Sequence, residues 1–407
     1  MPRGLWFAWV SLLLLACGDD PYRVEYSGTA GQPVKMELYG WVPRIEAQAA
    51  GASLGALIDT GSPLTVIAPT ALPSVQPGEA DIDLQAFGVT FPSLPVVVAE
   101  LFPDPGICDP PHPTGLVGGD LLRAFRLGLD YRGKRAFLFD GPDADPPVGQ
   151  GIETSTTVTI EVLGGGVAQL SGVDRLISVD ATRVLLAEAE VEGTPHVAVV
   201  DTGASLVVVR QDLYHKLDPT GRPSLCCQMV TTLYGTIRAS IGRLKQLSLG
   251  GARVSNVPVL IWEDTSFFDA ISAEVGRKVE LLVGGSFLRR FAVHLDYEGK
   301  ALQLGWYLEQ DHVDPDEFVG PGFTMCKARK SEEGMVVVDV FEGSSAQSAG
   351  VNSGDRLIMV AGQSVANMSL EQVEAMLRGP IGSSVDLIFA GAVKKTVQVE
   401  RLLADYN

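Results

Sequence analysis

The sequence predicts an all-β protein built of two similar barrel-like lobes, followed by a smaller α+β domain. An internal repeat is the first reason. Residues 115–139, GLVGGDLLRAFRLGLDYRGKRAFLF, and residues 281–305, LLVGGSFLRRFAVHLDYEGKALQLG, agree at about half their positions without a gap,. The second reason is the texture of the chain: short runs of Val, Ile, Leu and Phe bounded by Gly, Pro, Asp and Ser, as strands are,. The third is a change of pattern beyond the acidic, Pro-containing break at 309–321, where strand-like segments flank a capped helix,.

The repeat has two further parts. ALIDTGSPLTVI (56–67) parallels AVVDTGASLVVV (198–209), and residues 84–98 parallel 247–261, each an apolar strand, a turn and a Pro before three apolar residues. Short helices are expected to start at Gly119-Asp120 and Gly285-Ser286 and to run to Phe125 and Phe291; long 3.6-period stretches are scarce,. Pro- and Gly-rich residues 140–151 read as the linker between lobes,. The expected organisation is a leader at 1–16, a tether at 17–31, lobes at 32–147 and 148–310, and the C-terminal domain at 318–404.

Composition narrows the function. The 407 residues are 46% hydrophobic and 20% charged, enough apolar material for two or three domains of roughly 150 residues,. The formal net charge is −18 and no Lys/Arg-rich run appears, which argues against nucleic acid as a partner,. Five scattered histidines match no metal-ligand spacing, and no GxSxG elbow or P-loop is present, so neither metal nor cofactor is expected,. Gly164-Gly165-Gly166 lacks dinucleotide-binding spacing and reads as a hairpin loop.

At the N-terminus Arg3 precedes an apolar run over residues 5–16, a secretory signal too short for a spanning helix, which needs about 20 residues,. Its end, Leu14-Leu15-Ala16-Cys17, resembles a bacterial lipobox, which implies cleavage before Cys17, lipid on its sulfur and a membrane anchor in the cell envelope, facing the periplasm. An ordinary signal with an incidental Cys is the alternative. Cys108, Cys226, Cys227 and Cys326 remain; disulfides and ordinary thiols are both open, and adjacent Cys226 and Cys227 would make a strained pair,.

The chemistry rests on the two Asp-Thr-Gly motifs. Each follows an apolar strand and is answered downstream by two apolar residues and Gly, Leu116-Val117-Gly118 and Leu282-Val283-Gly284. Peptide hydrolysis by carboxylates needs two side by side, one charged and one protonated, because like charges at close range cannot both ionise. Over residues 32–308 the chain resembles the pepsin and retropepsin families of aspartic peptidases, whose paired acids share one proton in this way,. The resemblance implies two retropepsin-like β-barrel lobes, Asp59 and Asp201 as catalytic pair, a peptide or protein substrate, and Thr60 and Thr202 bonded across the lobes. Gly61 and Gly203 let the loops approach,. Ser62 follows the first motif and Ala204 the second; a Ser62 hydroxyl donating to Asp59 would make Asp59 the ionised member and Asp201 the protonated one, with interchanged roles as the alternative,. Asp130 and Asp296, in the repeated Leu-Asp-Tyr, are expected in structural turns.

The second lobe has the longer stretch between its motifs, residues 202–283 against 60–117. It includes MVTTLYGTIRAS (229–240), which alternates like a hairpin,. Tyr234 is the candidate flap residue, an ordinary core or surface Tyr being the alternative; the first lobe has little but turn residues at 69–82.

Residues 318–404 resemble a bacterial PDZ domain, through GSSAQSAGV (343–351) and GDRLIMVAG (354–362). Ser369 is expected to cap a helix to Leu377, with Glu371 and Gln372 placed for a capping box,. The resemblance implies a C-terminal peptide ligand, with Gly320, Gly322 and Phe323 in the carboxylate-binding loop. Two other organisations stand beside the single-chain enzyme. One is a catalytically silent protease fold whose PDZ domain serves as an adaptor or envelope sensor. The other is a pair of independent units, each needing a partner chain.

Overall fold

The computed structural model describes residues 24–101, 113–141, 152–164, 167–168, 177–178, 182–232, 235–307, 318–328 and 333–406; Cys17, Cys108, Tyr234 and most of the expected linker lie outside them. Strands form where apolar and polar residues alternate: Val42–Ala49 and Gly78–Ala86 bury every second residue and expose the next,.

In the first lobe six strands close on themselves. Val42–Ala49, Ala52–Ile58, Gly115–Val117, Val66–Ile67, Val89–Val98 and Gly78–Ala86 pair in that order, and the last returns to the first. The second lobe repeats the plan. Thr182–Val191, Thr194–Val200, Val279–Val283, Val207–Arg210, Ala252–Trp262 and Gly235–Leu249 form its ring, closed by Ala189–Val191 against Leu247–Leu249. Closure leaves these strands without the unpaired edges of an open sheet.

Arg126–Asp130 and Phe291–Asp296 join the lobes. They pair antiparallel with Asp130 opposite Ala292, Gly128 opposite His294 and Arg126 opposite Asp296. Arg126 and Ala292 are equivalent positions of the repeat, as are Asp130 and Asp296, so the contact is self-complementary about a local two-fold at Gly128 and His294. Arg126 Nε lies 3.0 Å from Asp296 Oδ2. One apolar core runs through both lobes, from Met36 and Ile58 to Val283 and Leu304. Asp130 and Asp296 each accept the amide three residues on, from Gly133 and Gly299, both at 2.8 Å; they close equivalent turns,.

The C-terminal domain has its own core, including Met335, Val337, Leu357, Val373 and Leu377. Its sheet orders Phe323–Lys327, Met335–Val340, Arg356–Val360, Ser384–Phe389 and Val393–Gln398, with Phe323–Lys327 at one edge. The helix Leu370–Leu377 starts with a complete capping box: Gln372 N donates to Ser369 Oγ at 3.2 Å and Ser369 N to Gln372 Oε1 at 2.8 Å,.

Four features differ from expectation. Residues 24–31 are not all tether: Tyr26 packs on Phe91 and Phe125, and Ser27–Gly28 pairs with Val89–Thr90, because the apolar ring completes the lobe's surface. The short helices end at Leu122 and Leu288, earlier than Phe125 and Phe291. Part of the extra length of the second lobe is a helix, Ser266–Val275, whose Phe268 and Ile271 are buried at helical spacing,. Beyond the C-terminal domain the chain turns back onto the second lobe, where Leu403 is buried. Among the described residues, Cys226 and Cys326 each take part in a disulfide.

Candidate active site

Each Asp-Thr-Gly stands at the end of a strand that has a parallel neighbour. Ala52–Ile58 runs beside Gly115–Val117, and Thr194–Val200 beside Val279–Val283. Asp59 N donates to Val117 O at 3.0 Å and Asp201 N to Val283 O at 3.1 Å, which pins both loops. The Gly after each apolar pair is required by crowding: a Cβ on Gly118 would lie 2.2 Å from Leu64 O, and one on Gly284 2.3 Å from Leu206 O,.

The two loops interlock through their threonines. Thr202 N donates to Thr60 Oγ1 at 3.0 Å and Thr60 N to Thr202 Oγ1 at 3.1 Å. Each hydroxyl donates onward into the opposite strand, Thr60 Oγ1 to Val200 O at 3.2 Å and Thr202 Oγ1 to Ile58 O at 2.7 Å. Thr60 is fully buried and Thr202 is 2% exposed. Each Gly faces the other loop's acid: a Cβ on Gly61 would lie 2.5 Å from Asp201 Cγ, and one on Gly203 2.2 Å from Asp59 Cγ. Any side chain there would push the acids apart.

Both carboxyl pKa values are raised, first by burial. At Asp59, 6% exposed, the Asp201 charge adds to the effect of burial. Gly61 N at 2.8 Å and Ser62 N at 3.0 Å donate to Asp59 Oδ1, and Gly203 N donates to Asp201 Oδ1 at 2.7 Å. Donors to a carboxylate favour its charged form and so act against the burial at both acids. Ser62 does not serve Asp59 through its hydroxyl as expected. Its amide donates to Asp59 Oδ1 at 3.0 Å, but its hydroxyl turns to Leu64 O at 2.9 Å and leaves the carboxylate alone.

The family model described as "Aspartyl protease" matches residues 187–287, which hold Asp201, Thr202 and Gly203, and that described as "PDZ domain" matches residues 316–389. The chain carries an aspartyl protease domain and a PDZ domain. Among solved structures it is similar to a retropepsin-like aspartic protease from Rickettsia conorii, at 20% identity over 37% of this chain and 94% of that one, TM-score 0.21. It is also similar to the photosystem II D1 C-terminal processing protease, at 28% identity over 20% of this chain, TM-score 0.19; the match spans 22% of that chain. No curated protein matches.

In the aspartyl protease domain the expected hairpin is present. Ser224–Thr232 pairs antiparallel with the first part of Gly235–Leu249, from Ser224 opposite Gly242 to Thr232 opposite Gly235. Tyr234 lies outside the described residues. The first lobe has no strand between Val66–Ile67 and Gly78–Ala86 among the described residues.

In the PDZ domain Gly320, Gly322 and Phe323 form a loop held from behind. Gly322 O accepts from Phe341 N at 2.8 Å and from Ser344 Oγ at 3.2 Å. Gly322 has φ of +92° and a Cβ there would meet Ser344, so only Gly fits,. Phe323 and Met325 pack with Val373 and Leu377 of the helix beside the edge strand.

One ionisable group near the dyad escaped sequence reasoning. Asp120 Oδ2 accepts from Thr65 N at 2.7 Å and Oδ1 from Thr65 Oγ1 at 2.6 Å, and burial raises its pKa to about 6. In the second lobe Ser286 replaces it, accepting from Val207 N at 2.8 Å and donating to Pro258 O at 2.9 Å. The joint exchange of Thr65 with Asp120 for Val207 with Ser286 was the available signal.

Proposed function

We propose that this protein is an aspartic endopeptidase in which Asp59 and Asp201 form one catalytic pair. The observation that carries the reading is the reciprocal threonine interlock, with each loop's Gly against the other loop's carboxyl, inside a single chain. Charged Asp201 takes a proton from a water, whose oxygen adds to the peptide carbonyl; protonated Asp59 donates to the carbonyl oxygen as it becomes tetrahedral. Collapse of that intermediate breaks the C–N bond, with the proton on Asp201 passing to the leaving amine and the hydroxyl proton returning to Asp59. Burial keeps the pair's proton bound at mildly acidic pH, which supplies both forms at once,. The two-fold register of Arg126–Asp130 on Phe291–Asp296 favours one chain holding both halves over separate units with partner chains.

The PDZ domain, in this proposal, reads peptide termini by adding a strand to the edge Phe323–Lys327,. The lipid anchor at Cys17 and the periplasmic envelope location belong to the same proposal and rest on the N-terminal sequence.

The test is cleavage of a diverse peptide mixture by a soluble chain starting near Pro21. It runs from about pH 3 to 7, where a dyad can hold one proton, beside Asp59→Asn and Asp201→Asn. Loss of activity in both variants is expected. Activity surviving either change overturns the dyad, and an inactive parent chain shifts the reading to a silent scaffold with a PDZ adaptor.

A further inference from the structure

The chain leaves the second lobe at Tyr307 and later returns to it. Val319–Gly320 pairs with Glu400–Arg401, which staples the entry to the PDZ domain to its exit. From there Leu403, 1% exposed, packs with Ala239, Ile241 and Leu260 in a cluster separate from the lobe core. Phe318 joins that cluster and meets Trp41 of the first lobe edge-on at 6.2 Å.

The polar contacts are more specific. Arg243, in the second strand of the hairpin, is fully buried. Its Nε donates to Ala404 O at 3.0 Å, its Nη2 donates to Leu403 O at 3.4 Å and lies 3.4 Å from Asp405 Oδ1, and its Nη1 donates to Asn256 O. Tyr406 N donates to Asn256 Oδ1 at 2.6 Å and its hydroxyl to Thr220 O at 3.1 Å. Arg222 and Lys245 sit over its ring at 5.1 and 4.7 Å. On the other side Arg238 of the hairpin lies 3.7 Å from Asp339 of the PDZ sheet.

Most of these contacts fall on the ring strands Gly235–Leu249 and Ala252–Trp262, and Leu225 and Val230 of Ser224–Thr232 pack against the same apolar cluster. Gly235–Leu249 is built into the barrel, but among the described residues Ser224–Thr232 is the last strand of its sheet and pairs only with Gly235–Leu249. Cys226 ties this strand at one point through a disulfide, and the rest of an edge hairpin opens locally more easily than ring strands,. A buried guanidinium would lose three of its partners if the tail lifted away, so the tail and the strand bearing Arg243 hold or yield together.

We propose that residues 403–406 are a latch seating the PDZ domain on the hairpin of the second lobe, so that hairpin opening and release of the PDZ seat are one equilibrium. Taken with the peptidase reading, the PDZ domain thereby controls admission of substrate past the hairpin; the latch itself does not depend on that reading. Hydrogen exchange of the full chain tests it without any need for catalysis. The variants are Leu403→Ala with Tyr406→Ala, which empties the seat, and Arg243→Met, which removes the guanidinium without stranding a buried charge. Amides of Ser224–Thr232 and residues 235–242 should exchange at least tenfold faster in both, while Phe291–Asp296 and Leu370–Leu377 keep their rates. Unchanged hairpin protection overturns the latch. Equal acceleration through Thr182–Val191 and Thr194–Val200 overturns it too, since the tail would then be a plain structural part of the lobe.

Discussion

Replacing Thr60 by Val keeps shape and removes one oxygen from the interlock. Thr202 N loses its acceptor at 3.0 Å and Val200 O loses its donor at 3.2 Å, in a place without solvent to replace either. A stranded buried amide costs about 1–3 kcal/mol and a lost neutral hydrogen bond about 0.5–1.5 kcal/mol, so the variant should lose about 2–4 kcal/mol. Thr202→Val strands Thr60 N and Ile58 O and should lose a similar amount. The two sets of bonds hold the same crossing of backbones, so once one is gone the loops relax and the other is worth less. The double variant should therefore be more stable than the sum of the singles by about 1 kcal/mol or more. Urea unfolding with midpoint and slope fitted separately measures this. Additivity within about 0.5 kcal/mol would refute the idea that the threonines act as one lock.

Two further outcomes follow from the geometry. Gly203→Ala places a methyl 2.2 Å from Asp59 Cγ, and a displacement near 1 Å should lower kcat/KM about 100-fold while the fold survives,; near-normal cleavage of peptides by the variant would remove the crowding argument. Asp120 has its pKa raised from 3.8 to about 6 in the folded protein, so it stabilises the fold below pH 4 and that contribution is lost as pH rises through 6,. The loss is at most about 3 kcal/mol, and Asp120→Asn should flatten that part of the stability curve in unfolding titrations at pH 4, 5, 6 and 7; an identical slope would show that Asp120 is not the group responsible.

Much of the site was legible because duplication writes itself into the sequence twice. Two Asp-Thr-Gly motifs at matching places, each answered by Leu-Val-Gly, are enough to pair Asp59 with Asp201 as an expectation, and the hairpin at 229–240 showed through its alternation. Ser266–Val275 was missed although Phe268, Ile271 and Val275 have helical spacing, because a single short apolar stripe is weak against a background of strands,. The direction of the Ser62 hydroxyl could not be read at all. Ser62 Oγ had two acceptors in reach of its sequence position, and the turn at Leu64 decided between them.

The amino-acid sequence by itself determined the all-β class, the repeat, the residue types at the two loops and the separate C-terminal domain, since all of these depend on local pattern and periodicity. Tertiary structure alone decided where the Ser62 hydroxyl turns, that Asp120 is a buried acid, and that residues 403–406 fold back on the second lobe. Those depend on desolvation and on contacts between residues such as Arg243 and Ala404, remote in the chain. Neither the desolvation of a single polar group nor a long-range partner has a period that a sequence can display.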